Sequence, residues 1–361
     1  MGPVPPLWGI WLEPKAWEEA FWPAAAALLV VAGAGYALGV ARQRRCMAAT
    51  RIGGADGYGV GGAGVGRSGG DPRGVVDLSV VATARRQVLF YLGLAIVAFA
   101  ILSPLDVLSQ WLFSAHMIQH LLLLVVAPPV LVASAPLDPL WRAVPEALRG
   151  RLAAGASWLA KFAPLRRAGA LVMSPWGAFV VFAGTMWFWH VPGPYDLTLS
   201  NLYVHATEHT MFLAAGLLWW SRIIHCPPMR APLSASQASM PATMAFLFAT
   251  VGQNVLLAMV IGFVGHPLYA PYAALAHRPG GLSALADQQL GASFMWTLGD
   301  LPFSIALARM VFLWMSGLEA RELEAGELEV RQFEARQLEA RQLEAGVLET
   351  GGEVLRADHV T

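Results

Sequence analysis

Seven stretches of this chain hold close to twenty residues of almost unbroken apolar character, at roughly 21–41, 86–103, 111–134, 172–190, 202–221, 240–264 and 290–315. A helix of that length crosses the hydrocarbon core of a bilayer. Lipid offers a peptide backbone no hydrogen-bond partners, so a crossing segment must be a helix or a strand of a closed barrel. Barrel strands are shorter and alternate polar with apolar residues; these runs do not alternate. The expected fold class is all-α, a polytopic transmembrane helix bundle of about seven spans. Composition agrees: 13% of the 361 residues are charged and 56% are hydrophobic, where a soluble domain carries about 25% charged residues. The formal net charge is zero, which argues against nucleic acid as a partner. Two cysteines, Cys46 and Cys226, are too few and too far apart for a disulfide framework. No basic segment precedes the first apolar run, so that run is expected to stay as a membrane anchor rather than be cleaved.

Lys and Arg set the expected orientation. Arg42, Arg44, Arg45, Arg51, Arg67, Arg73, Arg85 and Arg86 lie between the first and second runs. Arg142, Arg149, Arg151, Lys161, Arg166 and Arg167 follow the third, and Arg222 and Arg230 the fifth. The opposite side carries Lys15 and Arg278. Positive charge stays on the cytoplasmic side, so the N-terminus is expected outside and the C-terminus in the cytoplasm, the protein spanning the cell's inner (plasma) membrane. Four regions follow: residues 1–41, an N-terminal segment with the first span; 42–84, a glycine-rich cytoplasmic linker; 85–315, a six-helix core; and 316–361, a charged low-complexity tail. Residues 138–167 carry Trp141 and Trp158 among basic residues and read as an amphipathic helix on the inner surface. The tail repeats Leu or Phe before Glu every five residues from 318 to 348. Five residues turn a helix by about 140° beyond a full circle, so the apolar side chains spiral and form no stripe; a solvated, partly helical tail is expected.

Ionisable residues inside apolar runs are costly and carry the functional signal. His116 and His120 stand four apart in the third run and share a helix face. His205, Glu208 and His209 lie within about a turn of each other in the fifth run, and His190 ends the fourth. With the expected orientation all five imidazoles fall in the outer part of the bilayer, His116 and His205 roughly 6–8 Å below its surface at 1.5 Å per residue. Two such pairs can supply imidazoles to one metal ion, and imidazole suits Zn, Cu, Fe or Ni. Met117, Met186 and Met211 lie near them in sequence; thioether biases a site towards Cu(I), though methionine is also common filler. Glu208 can orient a ligating imidazole or carry a proton. Gln119, Gln253 and Asn254 read as polar contacts between helices. Asp300 precedes Pro302, whose ring breaks the helical hydrogen-bond ladder, and can cap the N–H groups so freed.

Together these stretches resemble the CtaG family of cytochrome c oxidase assembly factors for caa-type oxidases. The resemblance rests on His116 through Leu122 running into Ala127-Pro128-Pro129 and Ala135-Pro136. It continues with Trp189-His190-Val191-Pro192, Tyr195-Asp196, His205 with Glu208-His209, and Asp287 through Gly291, and covers roughly 85–315. It implies a role in oxidase maturation, with oxidase subunits and the lipid bilayer as partners. Some family members are fused to a copper-resistance membrane domain, so copper is the expected cargo and haem the second candidate. His116, His120, His190, His205 and His209 are then the candidate metal ligands. Glu208, Asp196, Gln119, Asp287 and Asp300 are their candidate supports. No nucleophile elbow, phosphate loop or catalytic carboxylate pair is present in the sequence, so a non-enzymatic factor is expected. The alternatives are a haem-bearing redox protein with imidazole axial ligands and a scaffold for oxidase subunits whose histidines serve packing.

Overall fold

The computed structural model describes residues 21–53, 78–224 and 240–357, and among the described residues it contains helices and no strand. Helices α1 (Phe21–Gly53) and α2 (Leu78–Leu102) pair. The Tyr36 ring stacks on Phe90 at 3.9 Å, and the Tyr91 hydroxyl donates to the Gly33 carbonyl at 3.1 Å. Both helices extend into the expected linker, since α1 continues to Gly53 and α2 begins at Leu78. Most of the glycine-rich stretch, Cys226 and the Cys46 side chain lie outside the described residues.

After α2, Ser103 caps the short helix α3 (Pro104–Ser109). The third apolar run then forms α4 (Phe113–Leu121), a π-helical turn at Leu122–Val126, and α5 (Ala127–Ala133). The wider turn has a cause in the sequence. Pro128 and Pro129 lack N–H groups, so the carbonyls four and five residues before them lose their helical donors. Leu124 loses both its α-type donor and its π-type donor. At this point helix α11 (Leu202–Trp220) packs close, at Gly216: a Cβ there would stand 2.5 Å from the Leu124 oxygen and 2.7 Å from the Pro128 ring. Glycine is the residue that permits this approach.

Three helices replace the single one expected over 138–167: α6 (Leu137–Ala143), α7 (Glu146–Leu159) and α8 (Ala163–Val172). Pro145 and Pro164 divide them, each restarting a helix at its first turn. Neither α7 nor α8 has a buried residue, whereas α6 buries Pro139 against α1, where a Cβ on Gly39 would lie 1.8 Å from the Pro139 oxygen. Helix α9 (Pro175–His190) follows at 75° to α8. Then come α10 (Pro192–Ser200), α11 (Leu202–Trp220), α12 (Met240–Phe263) and α13 (Ala270–Ala274). The last helix is α14 (Ala284–Ala357).

Among the described residues, five helical segments are long and apolar enough to cross a membrane, and six if the bent α8–α9 pair counts as one span. Seven were expected. Two of the expected seven fall short: α9, 16 residues long, qualifies only together with α8, and α11, 19 residues long, places His205, Glu208 and His209 in its first half. The side chains that make this helix chemically interesting are the ones that lower its hydropathy.

The chain divides into two compact units, Met1–Leu307 and Ala308–Thr361, and α14 contributes to both. In the second unit every described side chain from Arg321 to Gln337 is exposed, Leu323, Leu328 and Phe333 included. That is the result of a five-residue period on a helix.

Candidate metal centre

The site is built on the first turns of two helices. Helix α4 begins at Phe113 after a residue, Leu112, that offers no side-chain cap. Asp287, from the first turn of α14, caps it instead: its carboxylate accepts from the Phe113 N–H at 2.6 Å, the Ser114 N–H at 3.2 Å and the Ser114 hydroxyl at 2.5 Å. Helix α11 is capped locally, with the Asn201 side chain accepting from the N–H groups of Tyr203 at 2.9 Å and Val204 at 3.3 Å. These caps satisfy donors that a helix start leaves open, and they place His116 and His120 opposite His205, Glu208 and His209.

Ring centroids lie 5.1 Å apart for His116 and His205, 4.1 Å for His205 and His209, and 4.4 Å for His116 and His120. Glu208 reaches both histidines of α4: one carboxylate oxygen is 3.4 Å from Nε2 of His116, the other 3.4 Å from Nε2 of His120. His116 and Glu208 are fully buried, and His120, His205 and His209 are at most 5% exposed.

One ligand atom each from His116, His205, Glu208 and His209 falls within 4.8 Å of the other three. Nitrogen and carboxylate ligands bind an ion such as zinc at about 2.0–2.2 Å, which sets the edges of a tetrahedron at roughly 3.3–3.6 Å. Closing on an ion therefore requires a contraction of about 1 Å at the longest edge. The polar accounting points the same way. Nε2 of His116, His205 and His209, both ring nitrogens of His120 and both oxygens of Glu208 are buried without an aligned hydrogen-bond partner. Each such group costs about 1–3 kcal/mol, and here they face one another. The donor set fits a metal ion.

The surroundings orient His116. Its Nδ1 is 3.3 Å from the Tyr272 hydroxyl, which donates its proton to the Ser109 carbonyl. A carbonyl only accepts, so Tyr272 meets His116 as an acceptor and His116 carries its proton on Nδ1. The Nε2 lone pair is left facing Glu208. Tyr195 adds its hydroxyl 3.4 Å from that of Tyr272, and Tyr269 donates to the His190 carbonyl at 3.0 Å.

A model of the cytochrome c oxidase caa3 assembly factor family matches residues 72–317, a range that contains the whole cluster. This chain belongs to that family. Over 229 residues the chain is 24% identical to uncharacterized proteins of Mycobacterium bovis and Mycobacterium tuberculosis. It is 23% identical over 231 residues to one of Mycobacterium leprae. The matched stretch is 63% of this chain and 34% of each relative, so the chain spans about a third of the length of the curated relatives it matches. No solved structure matches it.

The remaining residues expected at the centre take other places. His190 is buried with its ring 5.9 Å from that of His120, outside the four-ligand group. Its Nδ1 meets the Met186 carbonyl at 2.6 Å and its Nε2 the Met117 sulfur at 3.4 Å. Gln119 points away from the cluster and donates to the Ala100 carbonyl at 2.8 Å and Asp106 at 2.6 Å, a helix-packing contact. Asp196 lies on α10, near the backbone of Ala270 at the start of α13. Burial pushes its carboxyl above the usual range, and the Ala270 backbone opposes the shift. Asp287 acts through α4 rather than in the cluster. Asp300 does not serve the N–H groups around Pro302 in the way expected; one of its oxygens accepts from the Asn254 side chain at 2.9 Å, across to α12. Gln253 and Asn254 bond to each other, and the Trp187 indole donates to Gln253 at 3.1 Å. Sequence reading missed Tyr269 and Tyr272. Their one signal was two aromatic hydroxyls three residues apart, in the loop that enters the last span on the histidine side.

Proposed function

We propose that the protein is a non-enzymatic assembly factor that holds copper at the His116–His205–Glu208–His209 cluster, near the outer face of the plasma membrane, and passes it to a subunit of cytochrome c oxidase. The observation that carries this is the convergence of three imidazoles and a carboxylate with their unpartnered atoms facing inward. Membership of the oxidase assembly family supplies the context, because the client enzyme is a copper protein. Imidazole nitrogen is a suitable ligand for copper, and the buried carboxylate adds charge where the ion would sit.

The geometry favours an ion over haem. The rings of His116, His205 and His209 approach at 4.1–6.2 Å, tilted or edge to face, and His120 is stacked on Phe212 at 4.2 Å. Axial imidazoles instead face each other across a macrocycle.

The test is a titration of Cu(I) against a competing chelator, with purified protein and with the His205→Ala/His209→Ala variant. The variant is expected to lose at least about tenfold in affinity, since even groups that merely orient ligands change it 10–100-fold. Equal affinity in the two proteins removes the copper role. A visible spectrum after haem-replete expression checks the second candidate, and a Soret band would reinstate it.

A further inference from the structure

His190 and Met117 make a contact that the cluster does not use. The Met117 sulfur is fully buried and His190 is 5% exposed. Nδ1 of His190 lies 2.6 Å from the Met186 carbonyl. That oxygen can only accept, so the proton of the imidazole is on Nδ1 and donates there. Nε2 is then a bare lone pair, and it points at the Met117 sulfur from 3.4 Å. A thioether has no proton to offer. Two electron-pair donors thus face each other with no hydrogen between them. A doubly protonated ring would supply one, at the cost of a charge in the apolar interior.

We propose that Nε2 of His190 and Sδ of Met117 form a second, soft binding site for Cu(I), separate from the four-ligand cluster. The inference rests on the copper-handling reading above. The spacing fits: with metal–nitrogen and metal–sulfur bonds of about 2.0 and 2.3 Å, a 3.4 Å separation subtends roughly 105° at a shared ion. Thioether selects Cu(I) over the harder ions that imidazole and carboxylate also accept. His120 supplies a third donor within reach. Both its nitrogens lack aligned partners, and its ring is 5.9 Å from that of His190 and 5.8 Å from that of His209. It stands between the soft pair and the cluster.

Anaerobic Cu(I) titration of the full chain, with X-ray absorption at the copper edge, tests this. The unaltered protein is expected to show a sulfur shell. Met117→Leu, a substitution of similar volume, is expected to lose that shell and one Cu(I) equivalent while keeping the equivalent bound by the cluster. His205→Ala/His209→Ala is expected to do the reverse. Selenomethionine-labelled protein, which needs no variant to fold, is expected to show copper–selenium scattering. Copper bound with nitrogen and oxygen scatterers alone, or a Met117→Leu protein with undiminished stoichiometry, overturns the second site and leaves the cluster standing. Failure of the unaltered protein to bind any copper overturns both readings.

Discussion

At the scale of residues, what the site needs comes from groups far off in sequence. Tyr272 fixes the tautomer of His116, so Tyr272→Phe is expected to weaken Cu(I) binding 10–100-fold without altering the helix content, as competitive titration and circular dichroism would show. Asp287 closes the first turn of α4, so Asp287→Ala leaves the buried N–H groups of Phe113 and Ser114 without an acceptor. Each uncapped donor costs roughly 1–3 kcal/mol, and the expected outcome is a lower thermal midpoint in detergent together with weaker metal binding; an unchanged midpoint would contradict the capping role. The histidines were legible in the sequence because an imidazole inside an apolar run is conspicuous and a spacing of four puts two on one face. Asp287 was visible as a polar residue but its role was not. Its partners are 173 and 174 positions away, and nothing in its own neighbourhood identifies them. Gln119 shares the helix turn of His116 and His120 yet points the other way, and only packing against α2 and α3 decides that.

At the scale of elements, the cluster exists because α11 lies close against the π-helical turn of the third apolar run. Gly216 sets that distance. Gly216→Ala places a Cβ against the Leu124 backbone oxygen and is expected to cost about 1–3 kcal/mol as over-packing does, moving His205 and His209 away from His116. Gly184→Ala, where a Cβ meets nothing within 4 Å, is the matched control and is expected to change neither stability nor metal affinity. Equal behaviour of the two variants would detach the glycine from the site. Consecutive prolines at 128 and 129 announced an irregularity in this run, but its form, a wider turn facing a glycine on another helix, depends on a neighbour that local sequence does not name. The amphipathic stretch over 138–167 shows the same limit. Its composition is readable in the sequence, whereas its division into three helices comes from Pro145 and Pro164, which restart the helix.

At the scale of the whole molecule, the distribution of Lys and Arg and the position of the cluster make one statement about topology. Alkaline phosphatase fused within residues 192–201 or 265–283 is expected to be active, and fused within 144–162 inactive. The reverse pattern would put the cluster on the cytoplasmic side and end the proposal of delivery at the outer face. The all-helical class followed from run lengths and lipid chemistry alone. A count of spans by composition is sensitive to α11, whose polar side chains lower its apolar character. Glu208, whose two oxygens address two different helices, has one more consequence. It is the single acid among the gathered ligands. An ion of valence one therefore cancels its charge and leaves the bilayer interior electrically balanced, while a divalent ion leaves a surplus positive charge stranded in hydrocarbon. On the proposed copper reading, charge balance at this carboxylate-bearing cluster favours a monovalent cargo there, a selection that the neutral His190–Met117 pair cannot make.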